Sequence, residues 1–227
     1  INVVRIAEST WSTLEPQEGE FNFYHIDRVL DAMHEAGIAV IIGTPTYAVP
    51  AWLVAKYPDI LVTTAEGQLK YGPRQIMDIV NPTFRRYAEK IIRTLMAHVQ
   101  HHPAIIGWQL DNETKHYDNV GRYMQEGFVR SLREKYVNLD PLNHDFGLDY
   151  WSNRIDSWDD FPPVENTINA SLACAFSRYQ RQQVTDYLAW QAEIVREYAQ
   201  PHQFVTHNFD FEWRGYSFGV QPRVDHF

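Results

Sequence analysis

The order in which the hydrophobic period changes near the N-terminus constrains this chain more than any other feature. Asn2 to Ile6 is a β-branched run and predicts a strand. Ile26, Val29, Leu30 and Met33 follow at i, i+3, i+4 and i+7, a helical period that Gly37 stops. Ile38 to Ile42 is then an unbroken apolar run, which predicts a strand buried on both faces. Strand, helix and buried strand within about forty residues form a βαβ unit, and hence a parallel sheet.

The alternation continues. Thr44 to Gly72 carries Pro45, Pro50, Pro58 and Gly67 and predicts an elaborated loop, with a short helix near Ala51 to Lys56. Asn81-Pro82 reads as an N-cap followed by proline at the first helical position. Phe84, Ala88, Ile91, Leu95 and Val99 continue it as one apolar stripe, and His102-Pro103 closes it. Ala104 to Leu110 predicts the next strand, Val120 to Tyr136 a helix, Thr167 to Ala199 a long helix, and Phe204 to His207 a further strand. Asn138 to Glu165 is rich in Asn, Asp, Pro and Trp without a clean period, and predicts a long loop region over a barrel mouth. The expected architecture is α/β, a (β/α) barrel with long loops on one face. A doubly wound open sheet is the alternative, but the Gly-rich phosphate loop of the commonest such sheets is absent.

Composition excludes several classes. With 227 residues, 44% of them apolar, the chain suits one sizeable globular core. A net charge of -9 argues against nucleic-acid or anionic-membrane partners, which need a positive field. The longest apolar stretch, Ile38 to Ile42, is far too short to span a bilayer. A single cysteine, Cys174, allows neither an internal disulfide nor a cysteine-based metal site, and fits a reducing, cytoplasmic compartment. Seven Trp and thirteen Tyr suit stacking on sugar faces, and suit a plain aromatic core equally well. The chain opens inside a strand pattern without Met, and Val224-Asp225-His226-Phe227 breaks off in mid-pattern. Residues 1–227 are therefore expected to be an inner part of one domain, truncated at both ends.

The strongest local feature is Trp108-Gln109-Leu110-Asp111-Asn112-Glu113. It ends a buried strand, and in parallel barrels polar residues at that end are where catalysis sits. Three consecutive polar groups, two of them carboxylates, are costly to bury without a purpose. A solvated loop with Asp111 as an N-cap remains the competing reading.

Asn112-Glu113 resembles the acid/base signature at the end of the fourth strand in a large clan of barrel glycosidases. Asn2-Val3-Val4-Arg5, Trp11-Ser12, Leu14-Glu15-Pro16 and Gly19 are similar to a segment of glycoside hydrolase family 42. So are Gly43-Thr44-Pro45-Thr46, Pro50-Ala51-Trp52-Leu53 and Thr206-His207-Asn208-Phe209, in the same order. The resemblance runs nearly the whole chain. It implies part of a catalytic (β/α)8 TIM barrel, incomplete, with strands 2 to 5 and the start of strand 6 present. It also implies a retaining β-galactosidase acting by double displacement on β-galactoside oligosaccharides, without a cofactor. Glu113 would be the acid/base, since a glycosidic oxygen leaves poorly unless protonated. Asn112 would bind the galactose 2-hydroxyl, Arg74 would contact the sugar, Trp151 would wall the pocket, and Arg5 would support the nucleophile. Trimeric relatives suggest a homotrimer for a full-length parent. Another retaining β-glycosidase of the clan, such as a β-glucosidase or mannanase, or a non-catalytic sugar-binding barrel, are the alternatives.

The chain also departs from the pattern. The nucleophile is expected at the seventh strand; Asp210 and Glu212 do not match its motif, so it is placed outside this chain, and the fragment alone is expected to be inactive. Relatives often hold zinc in a cysteine cluster after Asn-Glu; here the stretch reads Thr114-Lys115-His116-Tyr117, and no metal is assigned. His98, His101 and His102 sit where a helix C-terminus favours them electrostatically. Asp111, Glu113 and His116 could in principle bind a divalent ion, a minor alternative, and Ser9, Ser12 and Cys174 lack the context of a nucleophile.

Overall fold

A computed structural model describes residues 1–165 and 167–209. In chain order its elements are β1 (Val3–Ile6), α1 (Trp11–Leu14), α2 (Tyr24–Glu35), β2 (Ala39–Gly43), α3 (Ala51–Lys56), β3 (Thr63–Thr64) and β4 (Gly67–Gln68). There follow α4 (Pro82–Val99), β5 (Ile105–Leu110), α5 (Arg122–Lys135), α6 (Leu139–Phe146), α7 (Ala170–Arg196) and β6 (Phe204–His207). Asp210, Glu212 and the C-terminal Val224 to Phe227 lie outside the described residues.

One sheet runs β1-β2-β5-β6, every pair parallel. Strand order therefore follows chain order without reversal. A doubly wound sheet reverses direction at a switch point, so that alternative is gone. Successive crossovers of one hand put α2, α4 and α7 on one face, and the sheet curls as a segment of a (β/α)8 barrel. The fold is the expected one: α/β, an incomplete barrel.

The pleat explains the sorting of side chains. Val40, Ile42, Trp108 and Leu110 point to the helices and are buried with Ile26 and Leu30 of α2, Ile91 and Leu95 of α4, and Leu188 and Val195 of α7. The other parity lines the barrel interior, where Val3 and Phe204 are each 43% exposed. The expectation that Ile38 to Ile42 is buried on both faces is thus corrected. Val40 and Ile42 are fully covered, but Ala39 and Ile41 only partly, because four strands leave the inner face open. Gly107 faces Phe204 across the β5–β6 ladder, and a Cβ there would stand 2.6 Å from the Phe204 ring.

The helix signals act as expected. Asn81 Oδ1 accepts hydrogen bonds from the amides of Thr83 (2.8 Å) and Phe84 (3.1 Å), and Pro82 follows as the first helical residue. Gly37 takes a left-handed φ of 66° after α2.

Asn138 to Glu165 is not the open loop expected. It contains α6 and closes a second core, in which Leu142, Leu148 and Ile155 pack with Met124, Phe128 and Leu132 of α5 and Leu172 and Phe176 of α7. Buried Asn143 ties the segment together, donating to Ile155 O (2.7 Å) and accepting from Ile155 N (2.9 Å). The helix has only eight residues and its partners are remote in sequence, so no period announces it. The two-residue strands β3 and β4 are too short to be anticipated.

Several residues that carry the family resemblance prove to be structural. Glu15, fully buried, accepts from Trp11 Nε1 (2.9 Å), Gly19 N (2.9 Å) and Lys90 Nζ (3.2 Å). Its carbonyl accepts from Trp52 Nε1 (2.8 Å).

Candidate active site

The C-terminal ends of β2, β5 and β6 converge on the segment Asp111 to Thr114. The chain leaves β5 through backbone that side chains normally avoid: φ is +38° at Asp111 and +50° at Glu113. Such residues cost on the order of 1–3 kcal/mol each and persist only where their surroundings hold them. Here the surroundings hold almost every link. Asp111 N donates to Thr44 Oγ1 (2.6 Å), Glu113 N to Asn208 O (2.9 Å), and Thr114 N to His207 Nε2 (3.4 Å). Gln75 Nε2 reaches the carbonyls of Asn112 (3.3 Å) and Glu113 (3.1 Å).

Beneath the segment lies a closed polar ring. The Thr46 hydroxyl donates to Asp111 Oδ1 (2.8 Å), and the Thr114 hydroxyl to Asp111 Oδ2 (2.5 Å). Gln191, on α7, accepts from the Thr44 hydroxyl (2.6 Å) and donates to Thr46 Oγ1 (3.0 Å). Asp111 is 0% exposed, and burial pushes its carboxyl pKa up to about 6, against the lowering by its Thr114 and Thr46 hydrogen bonds. Tyr117 and Tyr187 flank it. Burial, then the Asp111 charge, holds both phenols well above the ordinary tyrosine value, so both stay neutral.

His207 seals the other side. Its Nδ1 lies 2.7 Å from Leu110 O, and Nε2 faces the Thr114 amide, a pattern that fixes the neutral tautomer with the proton on Nδ1. Burial pushes its pKa down to about 4, with the bond to Leu110 opposing.

Of the five residues singled out from sequence, four come together. Glu113 is half-buried, and none of the described residues hydrogen-bonds its carboxylate. Asn112 is buried beside it. Its Oδ1 accepts from Asn208 Nδ2 (3.0 Å) and Gln109 Nε2 (3.3 Å), so the amide nitrogen is the group left to a ligand. Arg74 places its guanidinium 5.1 Å from the Tyr47 ring centroid. Tyr47 belongs to the same group: burial pushes its phenol pKa up, Arg74 opposes that, and Glu113 adds to it. Arg5, on β1, donates to Gln109 Oε1 (2.7 Å) and pairs with Glu8 (3.3 Å). Through Gln109 it is one bond removed from Asn112.

Trp151 stands apart. It sits on a turn with φ +55°, is 67% exposed, and meets Tyr150 with ring centroids 5.2 Å apart. No described contact joins it to the Glu113 group. Thr44, Thr46, Gln191 and His207 carry no motif of polar function; only the threonines and the histidine lay in segments that resemble the family. Among the described residues no group of three His, Cys, Asp or Glu side chains is arranged to hold a metal. His98 and His102 instead approach Asp27 (2.6 Å) and Asp31 (3.3 Å) on α2.

Fold and site define a parallel (β/α)-barrel segment with a strained, carboxylate-bearing loop at the C-terminal end of a central strand. Residues 1–225 match the glycoside hydrolase family 42 model, described as beta-galactosidase, and the chain belongs to that family. A β-galactosidase of Thermus thermophilus is 34% identical over 213 residues, 91% of this chain and 33% of that protein. One from Haloferax lucentense is 31% identical over 216 residues, 92% of this chain and 32% of that protein. Among solved structures, the β-galactosidase of the psychrophilic Marinomonas ef1 superposes with a TM-score of 0.86 at 31% identity, covering 92% of this chain and 33% of that one. The chain thus spans about a third of the length of the curated relatives it matches.

Proposed function

We propose that this chain is part of the catalytic barrel of a retaining β-galactosidase that releases terminal β-galactosyl residues from β-galactosides. The observation that carries the reading is the pair Asn112-Glu113 at the end of β5. There an oriented amide and a part-exposed carboxylate stand beside Arg74 and Tyr47. Glu113 protonates the glycosidic oxygen as the leaving group departs, then deprotonates the water that resolves the galactosyl-enzyme. Asn112 donates to the sugar 2-hydroxyl, and Arg74 contacts the sugar from the loop before α4. Arg5 supports the nucleophile side; Trp151, in the segment between α6 and α7, stands apart from Glu113 among the described residues, and the resemblance alone assigns it to the pocket wall. The nucleophile, a second carboxylate roughly 5 Å from the first, comes on this reading from barrel strands outside the 227 residues. The homotrimeric assembly suggested by the resemblance and the cytoplasmic setting suggested by the single cysteine belong to the same proposal. Sedimentation mass and cell fractionation of the full-length protein test them. No helix among the described residues is long and apolar enough to cross a membrane.

The deciding experiment compares the full-length protein with its Glu113→Ala variant. For lactose, kcat/KM is expected to fall by roughly 10²–10⁴-fold. Cleavage of 2,4-dinitrophenyl β-galactoside, whose leaving group needs no proton, should fall far less in the galactosylation step, and azide should yield β-galactosyl azide. Equal activity of variant and parent on lactose sinks the assignment of Glu113. A parent that prefers glucosides or mannosides moves the substrate to another member of the clan.

A further inference from the structure

A fully enclosed carboxylate lies two residues before Glu113. Asp111 is wholly enclosed, with hydroxyls and no cation bonded to its carboxylate. A buried carboxylate without a paired cation costs free energy to enclose, so a contribution to stability does not account for it. What it does have is connectivity. Thr44 accepts from Asp111 N and donates to Gln191; Gln191 donates to Thr46; Thr46 donates back to Asp111. Each hydroxyl in that ring gives one bond and takes one, and both ends of the Gln191 amide are used. The ring joins three elements remote in sequence: the loop after β2, the end of β5 and the C-terminal part of α7. It closes at Asp111, whose left-handed backbone, with that of Glu113, aims the acid.

We propose that Asp111, Thr46 and Gln191 are positioning residues, whose hydrogen-bonded ring holds the Asp111–Glu113 backbone in the strained form that delivers Glu113 to the glycosidic oxygen. The proposal rests on the reading of Glu113 as acid/base. Opening the ring lets φ at Asp111 and Glu113 relax. The acid then moves by a fraction of a bond length or more, while the rest of the sugar site stays in place. The signature is therefore selective: the loss grows with the basicity of the leaving group, because only the proton delivery is impaired.

The test uses the full-length protein. Thr46→Val is isosteric and breaks the ring, Thr46→Ser keeps the hydroxyl, and Gln191→Met breaks it from α7, so that either element can answer if one variant folds poorly. Expected for Thr46→Val and Gln191→Met is a kcat/KM on lactose lowered roughly 10- to 100-fold, with 2,4-dinitrophenyl β-galactoside changed by less than about 3-fold. Thr46→Ser should restore most of the lactose activity. An equal loss on both substrates, or no loss on either, overturns the proposal. Glu113→Ala is run beside them. If it shows leaving-group dependence and the ring variants do not, only the positioning role fails. If Glu113→Ala shows none, the acid/base reading itself has failed.

Discussion

At the scale of single residues, titration couples the site to stability in two opposed directions. The folded state holds His207 neutral with a pKa of about 4, below its ordinary 6.5. Between those values the unfolded chain takes a proton that the folded one refuses, so this contribution is complete above about pH 6.5 and is lost as pH falls toward 4. Asp111 and Asp78 run the other way. Each is raised by burial from 3.8 to about 6, so the folded state binds a proton that the unfolded one releases. Their burial penalty, on the order of 3 kcal/mol for each at most, is relieved as pH falls from about 6 toward 4. Urea denaturation of the full-length protein across pH 4 to 7 reads both. Asp111→Asn should lose stability more steeply on acidification than the parent, and His207→Gln less steeply. Parallel curves for all three would mean that neither group titrates as its burial implies. Most of this was not legible in sequence. Glu113 and Asn112 could be singled out because a motif places them. The neutral state of His207 depends on its burial, and its tautomer on a carbonyl at Leu110 and an amide at Thr114, 97 and 93 residues away in the chain.

At the scale of elements, strand and helix positions follow the local pattern closely because each is set by period and caps. Val3–Ile6, Ala39–Gly43, Ile105–Leu110 and Phe204–His207 all fall within a residue or so of the β-branched runs that predict them. The second core does not follow, because α6 has too few turns to show a period and is stabilised by α5 and α7. Phe128→Ala, which empties the centre of that core, should cost about 3–5 kcal/mol in urea denaturation of the full-length protein. A loss below about 1 kcal/mol would mean that the segment packs only loosely. Gly107 gives a sharper test of the β5–β6 ladder. Gly107→Ala pushes a methyl into the Phe204 ring and should destabilise by about 1–3 kcal/mol, and Phe204→Leu in the same chain should recover part of it. Additive costs would show that the two positions do not meet.

At the scale of the whole molecule, β1 and β6 are the edges of the described sheet, and its inner face shows Val3, Arg5 and Phe204 to solvent. Open parallel edges beside apolar surface favour association. The 227 residues on their own are expected to run as soluble aggregates or oligomers on size exclusion and to bind a hydrophobic dye. A sharp cooperative melt of a monodisperse monomer would contradict that.

The sequence by itself determined the alternation of strand and helix, the N-cap at Asn81, the stop at Gly37, and the place of Asn112-Glu113 at a strand's end. Each of these depends on residues within one or two turns of one another. Only the tertiary structure decided that the strands add in one direction and so curl into a barrel rather than a doubly wound sheet. It also decided that Glu15 and Trp11 are structural and that Asn138 to Glu165 is a core. The same holds for Gln191 of α7, which closes a ring on the acid loop. Burial and hydrogen-bond closure are properties of contacts between segments far apart in the chain, and no local period encodes them.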